Sequence, residues 1–352
     1  MKVKISTHAS FESARNILIR GTNWIGDAIM TLPAIQAVRN TFPGVRISVL
    51  AKPWVAEIFR LSRDVDEVIL FQSPGIHSGV TGKWILASEL KARNFDAAIL
   101  LQNAIEAAVI TRLAGIPVRG GYNSDARGFL LTHSVQRTQA IRKVHQIHYY
   151  LEMVKSLGCL PGDAVVHLDP GDEYRTMAEK ILADRGIRRE GLIVGVAPGA
   201  TYGPAKRWLP EKFAAVSDRL IEDLSAEVIL FGSHQDRKTA DLVAHHARNK
   251  LFNIAGITNL KEAIAVIARC GLFISNDSGL MHIAGALNIP TVAVFGSTNP
   301  VTTSPVGERS IVIYKAASCS PCLKETCPTD FRCMEMISVE EVYETARGLL
   351  TR

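Results

Sequence analysis

The chain has 352 residues, of which 47% are hydrophobic and 21% charged, and its formal net charge is +6 at pH 7. This length and composition predict a globular protein of two domains. No apolar run reaches the ~20 residues of a membrane span, and the first twenty residues lack the apolar core of a signal peptide, so we expect a cytoplasmic protein. The positive charge suits an anionic partner, but no zinc-finger or RNA-binding motif accompanies it, so we expect no nucleic acid.

In the first half of the chain, short β-branched runs alternate with amphipathic stretches, which is typical of a parallel α/β domain. The predicted strands are 16–21, 46–51, 67–71 and 96–101. The predicted helices are 33–42, 84–93 and 145–158. A segment rich in Pro, Gly and Asp follows at 160–173 and is the predicted linker.

The second half repeats the alternation. Its predicted strands are 192–199, 227–233, 251–256, 272–277 and 291–297. Its predicted helices are 210–224, 235–249, 260–270 and 279–288. We therefore predict two doubly wound, Rossmann-like domains that face a central cleft, over 1–165 and 174–336. A final helix in 337–352 could pack back against either domain, the N-terminal one included.

Ligands of open α/β sheets bind where strands lead into helices, so these loops are the places to look for a site. In the first loop, "RGTNWIGDAIM", Asp27 lies at or just before a helix start. An aspartate there can be a helix N-cap, which stabilises a helix by ~1 kcal/mol. It can equally be a base that accepts the proton of an acceptor hydroxyl, and apolar Trp24 and Ile25 beside it favour a cleft.

The loop "VAPGATYGPAKRW" supplies a hydroxyl at Thr201 and cations at Lys206 and Arg207, shortly before a helix near Pro210. Backbone N–H groups, a hydroxyl and cations beside a helix N-terminus predict a diphosphate site. The alternative is a solvated basic loop.

The loop "FISNDSGLMHIAGAL" has the most distinctive pattern. Asp277 ends a strand, Ser278 and Gly279 begin a helix, and His282 follows one turn later. The N–H groups at such a helix start bind phosphate, and Asp277 would accept from sugar hydroxyls. For His282 the alternative is a buried histidine with satisfied hydrogen bonds. A fourth loop, 294–305, either closes this pocket or is an ordinary polar loop.

Six cysteines are present, and four of them crowd into "CSPCLKETCPTDFRC". These four are Cys319, Cys322, Cys327 and Cys333. In a cytosolic protein such crowding favours metal over disulfides, and the candidate is a structural zinc. The spacing matches no standard zinc motif, so the favoured interpretation is a reduced structural loop without metal, and structural zinc is the alternative.

Several common motifs are absent from the sequence: a G-x-G-x-x-G after the first strand, a P-loop, a G-x-S-x-G elbow and a D-x-D pair. In contrast, "NWIGDAIMTLPAIQAVRNTFP", "APGATYGPAKRWLPEKFAAV" and "NDSGLMHIAGALNIPTVAVFGSTNP" occur in this order. Together they resemble the ADP-heptose:lipopolysaccharide heptosyltransferases of glycosyltransferase family 9, most closely the heptosyltransferase II type. The resemblance runs from about Asn16 to the final helix.

This resemblance implies a GT-B fold and an inverting, metal-independent transfer of L-glycero-D-manno-heptose from ADP-heptose to the lipopolysaccharide inner core, with no cofactor. It implies a lipid A–inner core acceptor and transient contact with the inner leaflet of the inner membrane. Asp27 matches the catalytic base, and Lys206 matches the basic residue near the donor phosphates. The donor-binding turn is matched by Asp277, Ser278, Gly279 and His282.

Three alternatives remain open at this point. A nucleotide-sugar epimerase on the same fold would convert the donor without any acceptor. A binding protein that recognises a nucleotide or a lipid-linked sugar would not depend on Asp27. A heptosyltransferase of another subtype is the third alternative.

Overall fold

The computed structural model describes residues 10–187 and 191–351. The chain forms two compact units that divide between Ala164 and Val165. The first nine residues lie outside the described residues. They belong to the extension through Arg15 that precedes the family resemblance, and to the twenty residues in which the sequence analysis found no signal peptide. Across the described ranges, no helix combines the length and the apolar character needed to cross a bilayer.

Within the described residues, the first unit holds a six-stranded, all-parallel sheet in the order β3-β2-β1-β4-β5-β6. Its strands are β1 (Asn16–Arg20), β2 (Arg46–Ala51), β3 (Glu67–Leu70), β4 (Ala97–Leu100), β5 (Val118–Tyr122) and β6 (His133–Val135). Its helices are α1 (Ile25–Thr41), α2 (Ala56–Arg60), α3 (Gly79–Lys91), α4 (Ile105–Leu113) and α5 (Gln146–Ser156). The central strand β1 is almost wholly buried, which explains its continuous apolar sequence.

The second unit repeats this topology in its described residues, with six parallel strands in the order β12-β11-β10-β7-β8-β9. The strands are β7 (Ile193–Ala197), β8 (Glu227–Leu230), β9 (Phe252–Asn253), β10 (Leu272–Asn276), β11 (Thr291–Phe295) and β12 (Ser310–Tyr314). The helices are α6 (Gly171–Asp184), α7 (Pro210–Leu224), α8 (Arg237–His246), α9 (Leu260–Ile267), α10 (Gly279–Ala286), α11 (Pro300–Thr303), α12 (Arg332–Glu335) and α13 (Val339–Leu350). Each unit is therefore a Rossmann-like domain with its own apolar core.

Trp208 lies at the centre of the second core with no exposed surface. Its ring packs edge-on against Phe213 at 5.0 Å, and its Nε1–H donates to the carbonyl of Ile337 at 3.2 Å. This bond ties the segment before α13 to the segment before α7, and Val342 and Tyr343 of α13 complete the same core. The structure thus places the final helix on α7 of the second unit, which is one of the two alternatives that the sequence left open.

Helix α1 begins at Ile25, close to the helix start predicted at Asp27 and eight residues before the predicted helical stretch 33–42. Pro33 lies inside the helix. The N-cap is Trp24, and Asp27 is the third helical residue. The N-cap interpretation of Asp27 is therefore wrong, and Asp27 lies in the first turn, where a negative charge interacts favourably with the helix dipole.

Candidate active site

Both sheets have a topological switch point, where successive connections leave in opposite directions. In the first sheet this point lies between β1 and β4, and in the second it lies between β7 and β10. Ligands of doubly wound sheets bind outside the carboxyl ends of the strands at such points. The loop with Asp27 follows β1, and the loops with Lys206 and Asp277 follow β7 and β10. The predicted site residues thus lie at the switch points of their own domains.

Asp27 is half-buried at the start of α1, and Trp24 before it is exposed. Helix α1 packs on α5, which carries the buried Tyr150. Burial, and then the charge of Asp27, raise the pKa of Tyr150 well above its ordinary value. The Asp27 charge therefore acts on a buried phenol of the neighbouring helix, which stays protonated.

Two buried cations follow the neighbouring strands of this sheet and were missed by the sequence analysis. Arg20 ends β1 and donates to Asn23 Oδ1 at 2.8 Å, and burial lowers its pKa to about 10. Lys52 follows β2; its Nζ donates to the carbonyl of Ser73 at 2.8 Å and lies 3.6 Å from the centre of the Phe71 ring. Both could have been found from the sequence, because each is a charged residue at the end of an apolar strand.

The donor loop, which we define as residues 198–207, follows β7 in the second unit. Thr201 is exposed in a turn, and Lys206 ends a short 3₁₀ helix (Pro204–Lys206). Arg207 contacts α8 instead, with its Nη1 donating to Thr239 Oγ1 at 3.3 Å and its Nη2 3.9 Å from Asp236 Oδ1. Of the two cations expected to bind phosphate, only Lys206 approaches the turn at Asp277.

Lys206 and Asp277 form a tight ion pair. Lys206 Nζ lies 2.6 Å from Asp277 Oδ2, and the side chains are 15% and 5% exposed. Thr298 Oγ1 donates to the same carboxylate oxygen at 2.7 Å. Thr298 belongs to the fourth candidate loop, so this loop does contact the predicted donor turn. The pair brings together residues that are 71 positions apart in the sequence.

Helix α10 begins directly beside this pair. Its N-cap Ser278 makes no side-chain capping bond, and its hydroxyl lies 3.0 Å from Ser275 Oγ instead. The first N–H groups of a helix need partners from outside, and an anion can provide them. Gly279 is the first helical residue, and His282 is buried in the first turn and a half.

Asn276 links the end of β10 to the donor loop, and the sequence analysis did not single it out. It is fully buried; its Nδ2 donates to the carbonyl of Pro198 at 2.7 Å, and its Oδ1 accepts from the backbone N–H of Trp208 at 2.9 Å. One side chain thus links the end of β10 to both ends of the donor loop. In the sequence, the only sign of this role was the position of an asparagine at the end of a strand.

The thiol segment, residues 319–333, packs against the donor loop. Ala205 N–H donates to the carbonyl of Glu325 at 2.9 Å, and the Tyr202 hydroxyl donates to the carbonyl of Leu323 at 2.8 Å. Gly203 lies so near that an added Cβ would be 2.3 Å from the Glu325 oxygen. Among the residues described, no three Cys, His, Asp or Glu side chains already stand in a metal-binding arrangement.

Solved structures of similar fold identify the class. The structure of E. coli ADP-heptose lps heptosyltransferase II has a TM-score of 0.82 and 26% identity, and the match covers 96% of this chain and 98% of that one. A glycosyltransferase family 9 structure from Veillonella parvula has a TM-score of 0.85 at 24% identity, over 97% and 98% of the two chains. The fold is therefore that of a GT-B glycosyltransferase, as predicted.

Sequence comparison gives the family. Residues 84–331 match the family described as glycosyltransferase family 9 (heptosyltransferase). Lipooligosaccharide heptosyltransferase 2 of Haemophilus influenzae is 31% identical over 309 residues, which cover 85% of this chain and 88% of that protein. Lipopolysaccharide heptosyltransferase 2 of E. coli is 29% identical, over 84% and 87%. The chain belongs to glycosyltransferase family 9, and the prediction of a heptosyltransferase of the second type is confirmed.

Proposed function

We propose that this enzyme transfers L-glycero-D-manno-heptose from ADP-heptose to a sugar hydroxyl of a lipid A–inner core acceptor, with inversion at the anomeric carbon. The choice of ADP-heptose rests on the similar E. coli enzyme, which is named for that donor. The observation that carries the mechanism is the placement of Asp27 at one switch point and of the Lys206–Asp277 pair at the other.

The first domain would bind the acceptor and supply the base. In a single displacement the acceptor oxygen attacks the anomeric carbon, its proton passes to the Asp27 carboxylate, and the bond from that carbon to ADP breaks. Asp27 suits this role because it is half-buried at a strand-to-helix turn. The exposed rings of Trp24 and Trp54 flank the same loop, and Trp54 Nε1–H donates to the carbonyl of Asn23 at 2.8 Å. Exposed apolar groups of this kind mark ligand-binding grooves.

The second domain would bind the donor phosphates. As ADP departs, negative charge grows on its phosphate oxygens, and fixed positive groups stabilise it most when they are already in place. Lys206 has three N–H donors, so it can keep Asp277 and still reach a phosphate oxygen. The N-terminus of α10 and the Thr201 hydroxyl would donate further hydrogen bonds to the phosphates, and His282, which is buried in α10, would line the same turn.

Asp277 would bind a donor hydroxyl rather than a phosphate. Its Oδ2 accepts from both Lys206 and Thr298, and a carboxylate has acceptor capacity on its second oxygen as well. The ion pair therefore fixes the carboxylate in one orientation, so that Oδ1 can receive a sugar or ribose hydroxyl. This arrangement would explain why the Asp277 carboxylate and the Lys206 ammonium group lie together in the turn that we propose to bind phosphate.

We also propose that the enzyme works on the cytoplasmic side, at the inner leaflet of the inner membrane, where its lipid-linked acceptor is anchored. Val80 and Trp84 lie one turn apart on α3 and are 75% and 57% exposed. Lys91 on the same helix adds positive charge, which is attracted to anionic lipid, whereas the charge of Lys83 is offset by Glu106 at 2.8 Å. Tryptophan is favoured at the membrane–water interface, so this face of α3 suits peripheral binding.

The mechanism is tested by Asp27→Asn, with Asp125→Asn as the matched control. Asp125 lies in an exposed turn of the same unit with a φ of 52°, a conformation that asparagine tolerates. We expect Asp27→Asn to lower kcat at least a hundredfold, within the ~10²–10⁴ range of general base catalysis, while the Kd for ADP stays within twofold. Asp125→Asn should behave as wild type. Turnover of Asp27→Asn near the wild-type rate would show that another group accepts the proton.

A further inference from the structure

We propose that the four clustered thiols bind one divalent transition-metal ion, zinc or iron, and that this ion fixes the wall of the donor loop. The ligands would be Cys319, Cys322, Cys327 and Cys333. The statement about the donor loop depends on the proposed function, but the metal site itself does not.

A cavity in the thiol segment brings these cysteines together. It has a volume of about 180 Å³, and all four thiols line it, together with apolar groups of Pro328, Phe331 and Ala205. The other two cysteines are elsewhere: Cys159 and Cys270 are buried, and burial raises the pKa of both thiols. The sequence therefore separates into two cysteines buried individually and four that share one cavity.

The cavity is suited to a tetrahedral site. Metal–sulfur bonds of about 2.3 Å place the four sulfurs about 3.8 Å apart. A change of one χ1 rotamer moves a Sγ atom by about 3 Å, which is close to the separation of neighbouring sulfurs in such a site. Four sulfur ligands in a tetrahedron select zinc or iron over magnesium and calcium.

The charges around the cavity suit a site built of thiolates. A divalent ion binds all four cysteines as thiolates and releases their protons to solvent. The resulting group has a charge of −2. Lys324 and Arg332 line the same cavity, although Asp330 offsets part of the Arg332 charge at 2.8 Å.

The position of the segment gives the ion a role. Residues 323–326 lie between the second and third ligands, and they contact the donor loop through the Leu323 and Glu325 carbonyls. The Leu323 N–H also donates to the carbonyl of Ser297 at 2.8 Å, in the loop after β11. This stretch has no helix or strand of its own, so a metal ion would replace secondary structure as its support.

The first measurement is the metal content of the full-length protein, purified under reducing conditions from cells grown with both zinc and iron. We expect about one zinc or iron per chain in wild type and in Cys159→Ala, and less than a tenth in Cys322→Ser/Cys327→Ser. Metal analysis distinguishes zinc from iron. Wild-type protein without either metal, or with Cys319–Cys322 and Cys327–Cys333 found as disulfides by peptide mapping, would overturn the proposal.

A second measurement covers the case in which the double variant does not fold. Wild-type protein is treated with a mercurial that displaces thiolate-bound metal, and the released ion is titrated; apo protein is then given Co²⁺. We expect one ion released per chain and an absorption spectrum of tetrahedral cobalt–thiolate, and a protein that shows neither has no such site. If metal is present but its removal leaves the Kd for ADP unchanged, the role in the donor loop is wrong and the metal site stands. If neither form binds ADP while metal is present, the proposed donor is wrong instead.

Discussion

The substitution Gly203→Ala tests whether the donor loop packs on the thiol segment in the second domain. A Cβ on this residue would lie 2.3 Å from the carbonyl oxygen of Glu325 and 2.8 Å from its C and Cα. These are backbone atoms, so no side-chain rotation relieves the overlap. To restore ordinary van der Waals contact, the two segments must separate by about 1 Å.

The cost follows from this geometry. Separation by that distance breaks the hydrogen bond from Ala205 N–H to Glu325, now 2.9 Å long, and such a bond contributes about 1 kcal/mol. Overpacking adds about 1–3 kcal/mol. We expect the second unit to lose about 2–4 kcal/mol of unfolding free energy. The Kd for ADP should rise at least tenfold, because Lys206 at the end of the same loop is displaced.

Urea unfolding followed by the emission of Trp208, the tryptophan of this unit, measures the first effect, and calorimetric titration with ADP measures the second. Gly348→Ala is the control, since no atom lies within 4 Å of its added Cβ and it is in a helix. That variant should be slightly more stable and bind ADP normally. If Gly203→Ala unfolds and binds as wild type does, the two segments do not pack as described.

Two further predictions concern pH and membranes. Burial acts to raise the pKa of Asp218, but hydrogen bonds from Arg248 and Asn249 outweigh it and hold the pKa below its usual value. Because the folded pKa is the lower one, this stabilisation is present above about pH 4 and is lost as pH falls through the folded value. Asp218→Asn should therefore lower the unfolding free energy by about 1–3 kcal/mol at pH 7. It should also reduce the loss of stability between pH 5 and about 2. If urea unfolding shows the same loss of stability over this pH range in the variant and the wild type, the prediction is contradicted. Trp84→Ala should reduce the fraction of protein that sediments with anionic vesicles several-fold while ADP binding is unchanged. Phe129→Ala, which removes an even more exposed aromatic ring, is the control, and equal losses in both variants would rule out α3 as the membrane-binding face.

The sequence was most informative where burial is continuous. Central parallel strands such as β1 and β10 are apolar on both faces, so their sequences mark them without knowledge of the fold. Helix α7 was predicted with its observed bounds, Pro210–Leu224, because Pro begins it and an amphipathic pattern continues through it.

The missed elements have tertiary causes. Strand β5 contains Gly120 and Gly121, which propensity disfavours in a strand. An added Cβ on Gly120 would lie 2.8 Å from Leu157 of the segment that follows α5, so close packing requires glycine here. The edge strands β6 and β12 were not predicted. Strand β6 has only three residues and no apolar run, whereas β12 has the apolar run 311–314, which was a usable signal that the sequence analysis overlooked.

The candidate site divides in the same way. Each loop could be found from the sequence, since glycine, hydroxyl and charged residues follow apolar strands at fixed places. Which side chains meet could not be found, because pairs such as Lys206 with Asp277 join residues far apart in the chain. The contact of Glu325 with the donor loop is of this kind, and only the fold relates the four cysteines to the donor site.

The central claim is that the enzyme moves heptose from ADP-heptose to a lipid-linked core acceptor. Its most direct test is mass spectrometry of the acceptor after incubation with wild-type enzyme and, separately, with ADP-heptose, UDP-glucose or no donor. We predict that the acceptor gains one heptose residue, that ADP is released in equal amount, and that this occurs only with ADP-heptose. An acceptor that stays unmodified while ADP-heptose is converted to another sugar nucleotide, or one that gains sugar from UDP-glucose, would contradict the account.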